Sequence, residues 1–355
     1  MFSLHQPLPR SAAHLALIFA VFAATIFAIV CANTETCFAQ GDVILIRTSD
    51  RAGSRELRGT VTEYTGAELR FRTSAGREES LEASQVIAVA TLKTANQTEA
   101  EKFFAKGDYE KSLGLYRLAI REEKRRWMRR QILAQMVVCF RNTRQHEAAG
   151  DTFRLIYQDD PTTQYFDVIP LSWRTAQPST GMQQRALSWL ELTDNPAAQL
   201  LGASWLMSTQ HQAKCKQVLG RLATAKDARV AILAESQGWR TEVVTADVAK
   251  LDVWRERVLR LPANLQVGPQ FIIGQGLLRN RKYEAAALAF LRAPILNPDD
   301  TEIASDGLLA AGQALEGLQR IDQAIRIYQE IITDYQTSIA ADEATQRLER
   351  LANQN

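Results

Sequence analysis

A small residue followed four positions later by a large aromatic residue occurs at regular intervals in this sequence. The pairs are Ser112 and Tyr116, Ala149 and Phe153, Ala286 and Phe290, and Ala324 and Tyr328. The first two pairs lie 37 residues apart and the last two 38 residues apart. Residues four positions apart share one face of a helix, where a small side chain lets a second helix approach and an aromatic ring fills the space beside it. The pattern therefore predicts helix pairs stacked into an α-solenoid.

Further residues around these pairs follow a common order. They are Gly107 and Tyr109 before the first pair, Ala119 after it, Pro161 after the second pair, and Tyr283 before and Pro298 after the third pair. The arrangement resembles the tetratricopeptide repeat, whose pattern is Gly-x-Tyr, a small residue, an aromatic residue and a Pro that stops the helix. The resemblance covers about residues 94–162 and 266–340. The departures are Lys124 and Gln336 at Pro positions and Arg144 and His146 in place of Gly-x-Tyr.

The resemblance to this repeat family implies a function in protein–protein interaction. It implies a curved stack of helices whose concave surface binds a segment of a protein partner. The run from 328 to 351 is also similar to repeats of exported cell-envelope proteins, such as the outer-membrane assembly lipoproteins and the division coordinators of the Tol-Pal system. We therefore expect a non-catalytic scaffold in cell-envelope assembly or organisation.

The segment 1–39 resembles a secretory signal peptide. An uncharged apolar run, Leu15–Val30, follows the basic residue Arg10, and the small residue Ala39 ends the segment. This order of regions is typical of a cleaved export signal. We expect cleavage after Ala39 and a periplasmic or cell-envelope location. Without cleavage, the apolar run would anchor the protein in the membrane.

Residues 41–93 show a different periodicity, in which apolar and polar residues alternate in short runs. Alternation with a period of two is typical of strands that are buried on one face. Turn sequences such as Thr65-Gly66 separate the runs, and the segment predicts four or five short antiparallel strands. The opening Gly-Asp-Val-Ile-Leu-Ile sequence and a final short apolar strand resemble an SH3-like or Sm-like barrel.

The sequence thus predicts a multidomain α+β fold, with a small antiparallel β-barrel or sheet before an all-α solenoid. The helical part divides into a repeat pair at 94–162, an irregular helical-repeat segment at 163–265, and repeats with a capping helix at 266–355. Asp194, Asp227 and Asp300 lie where helices are expected to begin and suit N-terminal capping or an interaction with the helix dipole. Cys139 and Cys215 lie on separate apolar helical stretches, so we expect two separate buried thiols.

The composition is that of an ordinary globular protein. Of 355 residues, 46% are hydrophobic, and Lys+Arg 42 nearly balance Asp+Glu 40. This balance argues against a protein that chiefly neutralises nucleic acid. The sequence contains no nucleophile elbow, phosphate-binding Gly-rich loop or His-Glu-x-x-His motif, so no catalytic, cofactor or metal residue is assigned and no small-molecule substrate is evident. The alternatives are an enzyme with a site between the β unit and the middle helices, and a nucleic-acid binder through the Sm-like unit.

The stretch 121–130 is rich in basic residues, with six bases against two acids. The candidates for partner docking in it are Arg125, Arg126, Arg129 and Arg130. Such a cluster suits an acidic protein partner or an anionic membrane surface. The alternative is a solvated helix end with no binding function.

Overall fold

The computed structural model describes residues 41–48, 53–175 and 177–353. The chain divides into two compact units, a β unit that ends at Lys93 and a helical unit that begins at Thr94 and also includes Thr65–Ala67. An antiparallel sheet followed by helices confirms the predicted α+β class. The predicted signal segment, 1–39, lies outside the described residues.

The β unit is a five-stranded antiparallel sheet. Its strands are β1 (Asp42–Arg47), β2 (Ser54–Tyr64), β3 (Glu68–Thr73), β4 (Glu78–Glu82) and β5 (Val86–Ala90). They lie in the order β4-β3-β2-β1-β5. Strands β1 to β4 pair in chain order, and β5 returns to pair with β1 after a short 3-10 helix at Ala83–Gln85.

Alternating residues of the strands form the core of the β unit. The most buried are Ile44, Val61, Leu69 and Phe71. Arg70 and Arg72, which alternate with them on β3, are exposed. The buried carboxylate of Asp42 accepts hydrogen bonds from the backbone N–H of Val61, at 2.7 Å, and from the hydroxyl of Thr91. These bonds satisfy a charge that would otherwise be costly to bury.

The helical unit consists of α-helices joined by short turns and by one long connection between the fourth and fifth helices. Its helices are α1 (Ala95–Ala105), α2 (Tyr109–Glu122), α3 (Arg126–Asn142), α4 (His146–Asp159), α5 (Thr180–Leu190), α6 (Pro196–Leu206), α7 (Gln212–Leu222), α8 (Ala228–Trp239), α9 (Val248–Val258), α10 (Val267–Arg279), α11 (Tyr283–Phe290), α12 (Arg292–Leu296), α13 (Thr301–Gly317), α14 (Ile321–Asp334) and α15 (Ile339–Ala352). Short 3-10 helices lie at Phe166–Val168 and Ala263–Leu265.

The helix pairs α1/α2, α3/α4, α10/α11 and α13/α14 share one turn geometry. One residue in each turn has a positive φ: Gly107 (73°), Arg144 (57°), Arg281 (57°) and Gln319 (59°). Its N–H bonds to the carbonyl three residues back, and the next N–H bonds to the carbonyl five residues back. This is the hydrogen-bond pattern of a Schellman motif. The turns recur at intervals of 37 and 38 residues, the same intervals as the small residues.

Replacing Arg281 or Gln319 by glycine is expected to stabilise the helical unit. A Cβ is disfavoured in the left-handed conformation, whereas glycine adopts it freely. Glycine also gains freedom in the unfolded chain, so the expected net increase in the free energy of unfolding is about 0.5–1 kcal/mol per variant. Urea unfolding measures it. Arg326→Gly, at an exposed position inside α14, is the control and should lose about 1 kcal/mol; destabilisation by both turn variants would contradict the assigned geometry.

The residues predicted to pack the helix pairs differ in how exposed they are to solvent. At most 1% exposed are Ser112, Tyr116, Ala119, Ala149, Phe153, Ala286, Phe290, Ala324 and Tyr328. Tyr109 and Tyr283 are half-buried, and Gly107, Pro161 and Pro298 are exposed. The hydroxyl of Ser112 donates to the carbonyl of Ala100 at 2.9 Å, so its polar atom is satisfied inside the contact between α1 and α2.

Two helix pairs carry a glycine opposite the aromatic ring. A Cβ added at Gly274 would lie 2.7 Å from the ring of Phe290, and one added at Gly312 would lie 2.3 Å from the ring of Tyr328. The helices therefore approach closely because both sides of the contact are small. In the first pair, Ala100 precedes Tyr116 by the same 16 residues.

Three large apolar clusters follow one another along the helical unit. They contain buried residues from 100 to 265, from 239 to 314 and from 308 to 351. Cys139 and Cys215 belong to the first cluster and are both buried and free, as predicted for two separate thiols. Burial raises the pKa of each thiol to about 11, so both resist conversion to the reactive thiolate.

Candidate partner-binding cavity

A cavity of about 740 Å³ lies where several turns of the helical unit meet. The turns of α1/α2 and α3/α4 line one part of it, and the loops that precede α13 and α15 line another. The lining ranges are 106–110, 141–144 and 333–339, joined by His146, Arg174, Pro298, Thr301 and Glu302. Polar side chains and turn backbone therefore dominate the walls.

The carboxamide of Asn142 joins the turn of α3/α4 to the start of α13. Its Nδ2 donates to the carbonyl of Asp299 at 2.7 Å. Its Oδ1 accepts from the backbone N–H of Thr301 at 3.2 Å and from the Thr301 hydroxyl at 2.6 Å. Asn142 thus satisfies a backbone N–H that helix α13 cannot satisfy itself.

Two arginines beside Asn142 extend this contact. Arg141 forms an ion pair with Asp300, and Nη2 of Arg144 donates to the carbonyl of Thr337 at 2.5 Å. Burial raises the pKa of Asp300, which the positive charge of Arg141 opposes. We call the contacts of Arg141, Asn142 and Arg144 with 299–301 and 337 the polar closure. Its partners lie between 157 and 193 residues apart along the chain.

The polar closure departs from the expectation that each helix pair contacts only its neighbours. The second helix pair contacts the start of α13 and the loop before α15, far along the stack. The repeat pattern does not indicate these contacts, because it relates residues within one helix pair and they join residues 159 and 193 positions apart.

A segment that is neither helix nor strand, Ile169–Arg174, lies buried or half-buried in the helical unit; we call it the inner strap. Its backbone is held by side chains of α6 and α8. Nε1 of Trp205 donates to the carbonyl of Pro170 at 2.9 Å, and Nε2 of Gln237 donates to the carbonyl of Ser172 at 3.1 Å. These bonds from side chains to backbone carbonyls hold the segment between α6 and α8.

Arg240 is the main anchor of the inner strap. Its guanidinium donates to the carbonyls of Ser172, at 3.1 Å, of Ser204, at 2.6 Å, and of Arg174. The side-chain carbonyl of Gln237 accepts a further bond at 2.8 Å. Burial lowers the pKa of Arg240 to about 10, because its charge is compensated by carbonyl dipoles rather than by a carboxylate.

The end of the strap joins α13 beside the cavity. Arg174 forms a forked contact with Asp306 and an ion pair with Glu302 at 3.0 Å. Trp173, next to it, packs with Val267, Ala293 and Ile303, and a Cβ at Gly268 would lie 1.9 Å from its ring. The strap thus contacts the later helices of the helical unit in two ways. The ring of Trp173 packs against them, and the guanidinium of Arg174 forms ion pairs with α13.

His146 lies on the inner side of the cavity wall. Its ring centroid is 4.9 Å from that of Trp205. Burial lowers the pKa of His146, an effect opposed by Glu302 and reinforced by Arg141. The imidazole is therefore biased towards its neutral form and suits packing and hydrogen bonding better than binding an anion.

Charges of both signs line the cavity. Among the described residues Lys106 makes no ion pair, and neither do Glu110 and Asp334. Arg141 and Arg174 also line it, but each is compensated by carboxylates. The lining therefore favours a polar ligand of mixed charge over a strongly acidic or an apolar one.

The predicted basic docking cluster lies outside this cavity, and its arginines bind within the fold. Arg126 and Arg130 both pair with Asp159, and Arg125 pairs with Glu123 at 2.7 Å. Nη1 of Arg129 donates to the carbonyls of Ile120, at 2.6 Å, and of Glu123, at 3.1 Å. Arg130 is only 2% exposed. This burial removes Arg130 from the cations that a partner or a membrane surface can reach.

Residues 41–48, 53–175 and 177–353 contain no group of three or more His, Cys, Asp and Glu side chains placed to hold a metal ion. None of the helices in this part of the chain combines the length and apolarity needed to cross a bilayer.

Gly107, Tyr109 and Pro298, which the repeat pattern singles out, line the cavity, but the polar residues that join its walls were missed by sequence reasoning. Asn142, Thr301 and Thr337 belong to no motif, and their contacts join points far apart in the chain. Arg144 was noted only as a departure from Gly-x-Tyr. The signal in the sequence that marks this turn is the spacing of 37 residues between Gly107 and Arg144, which both have a positive φ. No protein-family model matches the chain, and no curated protein is significantly similar to it.

Proposed function

We propose that the helical unit is a tetratricopeptide-type solenoid and that the protein is a non-catalytic interaction scaffold. In this proposal, the cavity bounded by the helix-pair turns holds a polar segment of a protein partner. We place the scaffold in the periplasm or cell envelope, on the basis of the signal-like sequence at 1–39 and its similarity to exported repeat proteins. The β unit, with its SH3-like or Sm-like pattern, is proposed as a second docking surface.

The turn shared by four helix pairs carries the proposal. Gly107, Arg144, Arg281 and Gln319 have similar positive φ angles, from 57° to 73°. A left-handed residue is expected at a glycine and is unfavourable at arginine or glutamine, so its recurrence in the same phase supports one repeated hairpin. Each hairpin also buries its small and aromatic residues, which is the packing that the repeat pattern requires.

The chemistry of the cavity supports a polypeptide ligand. Its walls present amides and hydroxyls, including those of Gln336 and Thr337, together with charges of both signs. Such groups match the backbone and the mixed side chains of an extended polar segment. A cavity of about 740 Å³ lies within the size range of ligand-binding clefts.

Site-specific cross-linking in cells tests the proposal. A photo-reactive amino acid replaces Gln336, which lines the cavity, or Leu118, which is 45% exposed on α2 and does not line it. The full chain is expressed with each replacement. We expect a discrete cross-linked protein from position 336 and none of that species from position 118. No adduct at 336, or the same adduct at both positions, contradicts the proposal.

A further inference from the structure

The polar closure differs in chemistry from the contacts that hold each helix pair together. None of the three large apolar clusters of described residues contains both residues of α1–α4 and residues of α13–α15. The two parts meet through Arg141, Asn142 and Arg144 instead. Hydrogen bonds of this kind exchange with water at a small net free energy, whereas separating an apolar contact exposes surface at a larger cost.

We propose that the polar closure is a reversible latch, which sets the width of the cavity and opens to admit the partner segment. This inference rests on the proposed function, because it concerns the regulation of the same cavity. The latch is formed by the turn of α3/α4 on one side and the residues 299–301 and 337 on the other.

The start of α13 holds part of its own capping when the latch opens. In the closed state Asn142 accepts the N–H of Thr301, at 3.2 Å. Asp300 occupies the N-cap position of α13. Its carboxylate pairs with Arg141, and the backbone N–H of Ile303 also stabilises its charge. The Ile303 group belongs to α13 itself, so Asp300 keeps this partner when Arg141 and Asn142 move away.

The inner strap keeps the two halves together when the latch opens. Trp173 remains packed with Val267 and Ile303, and Arg174 remains paired with Asp306. The moving part is then the first apolar cluster, which includes α1–α4 and the start of the strap, relative to α13–α15, and the strap acts as the hinge at Trp173 and Arg174.

Pulsed electron spin resonance on the isolated full chain measures the latch directly. Spin labels are attached to cysteines that replace Arg121 on α2 and Gln329 on α14, both exposed. Of the four native cysteines, Cys139 and Cys215 are buried and free, with a raised pKa, and Cys31 and Cys37 are replaced by serine in every variant, so labelling is confined to the new sites. The combined variant Asn142→Ala with Arg144→Ala removes contacts of the latch. Arg281→Ala is its matched control, because Arg281 has the same φ of 57° in the equivalent turn and lies outside the latch.

We expect one narrow distance distribution in the parent and in Arg281→Ala, and an added longer-distance population in the combined variant. Thr301→Val removes only the hydroxyl bonded to Asn142. We expect it to show a long-distance population that is smaller than that of the combined variant but larger than that of the parent. It serves as the test if the combined variant does not fold. Unchanged distributions in the latch variants overturn the latch. Because these distances need no partner, a latch that opens without any cross-link at Gln336 would refute the proposed function alone.

A disulfide between Asn142→Cys and Thr301→Cys tests the link to binding. These side chains meet at 2.6 Å in the native protein. With the photo-reactive group at Gln336, the oxidised variant should give several-fold less partner adduct than the same variant after reduction. Equal adduct in both redox states would show that the partner enters without opening the latch, and the latch would not regulate the cavity.

Discussion

Ala149→Leu and Ala324→Leu each lower the free energy of unfolding by about 1–3 kcal/mol. Both alanines are fully buried, and a leucine there forces the two helices of a pair apart. Near Ala324, the ring of Tyr328 packs directly on Gly312. A Cβ added at Gly312 would lie 2.3 Å from that ring, so there is no room for a larger side chain in this contact. Chemical denaturation followed by circular dichroism measures the loss.

Gln323→Leu is the control for this pair of variants. It places the same side chain one residue away on α14, at an exposed position, and should change stability by less than about 0.5 kcal/mol. Equal stability of Ala324→Leu and Gln323→Leu would mean that the small residues do not set the spacing of the helices.

Arg240→Met is expected to destabilise the helical unit by about 3 kcal/mol, because it removes the guanidinium donor from the carbonyls of Arg174 and Ser204. The Ser172 carbonyl loses one of its two donors and keeps Nε2 of Gln237. Methionine keeps much of the length and apolar volume of the side chain, so the lost hydrogen bonds dominate the change. The strap should also become a substrate for trypsin, which cleaves after Arg174. Thermal unfolding and limited proteolysis measure the two effects.

Arg257→Met is the matched control for Arg240→Met. Arg257 pairs with Glu235 at 2.8 Å with both side chains about one-third exposed, and such a pair contributes little. We expect a change below about 1 kcal/mol and no new cleavage at the strap. Equal effects of the two substitutions would contradict the role of Arg240 as the anchor of the strap.

Local patterns predict the helix pairs because the residues that hold each pair are close in sequence. Tyr328, for example, packs against Gly312 only 16 residues earlier. Some helix starts are also readable, since the Asp227 side chain caps α8 by accepting from the N–H of Arg229, as predicted. Helix α6 is capped by Asn195 and not by Asp194. The side chain of Asn195 has the same capping chemistry and lies at the N-cap position.

The cavity was beyond sequence reasoning because its walls come from four separate turns. Asp300 lies at the N-cap position of α13, where the sequence places it, but its ion pair with Arg141, 159 residues away, has no local signal. The inner strap is hidden for the same reason, since Pro170 and Ser172 carry no pattern that points to Trp205 or Arg240. A single sequence shows which residues suit burial, but not which distant residue each one meets.

Hydrogen–deuterium exchange of the full chain, with and without the partner captured at Gln336, tests the central claim most directly. The claim is that the turns around the cavity form the binding surface. We predict slower exchange on binding at 106–110, 141–146 and 333–339, with no change on the outer face of α2 around Leu118. Protection confined to α2 or to the β unit, with unchanged exchange in the turns, would contradict it.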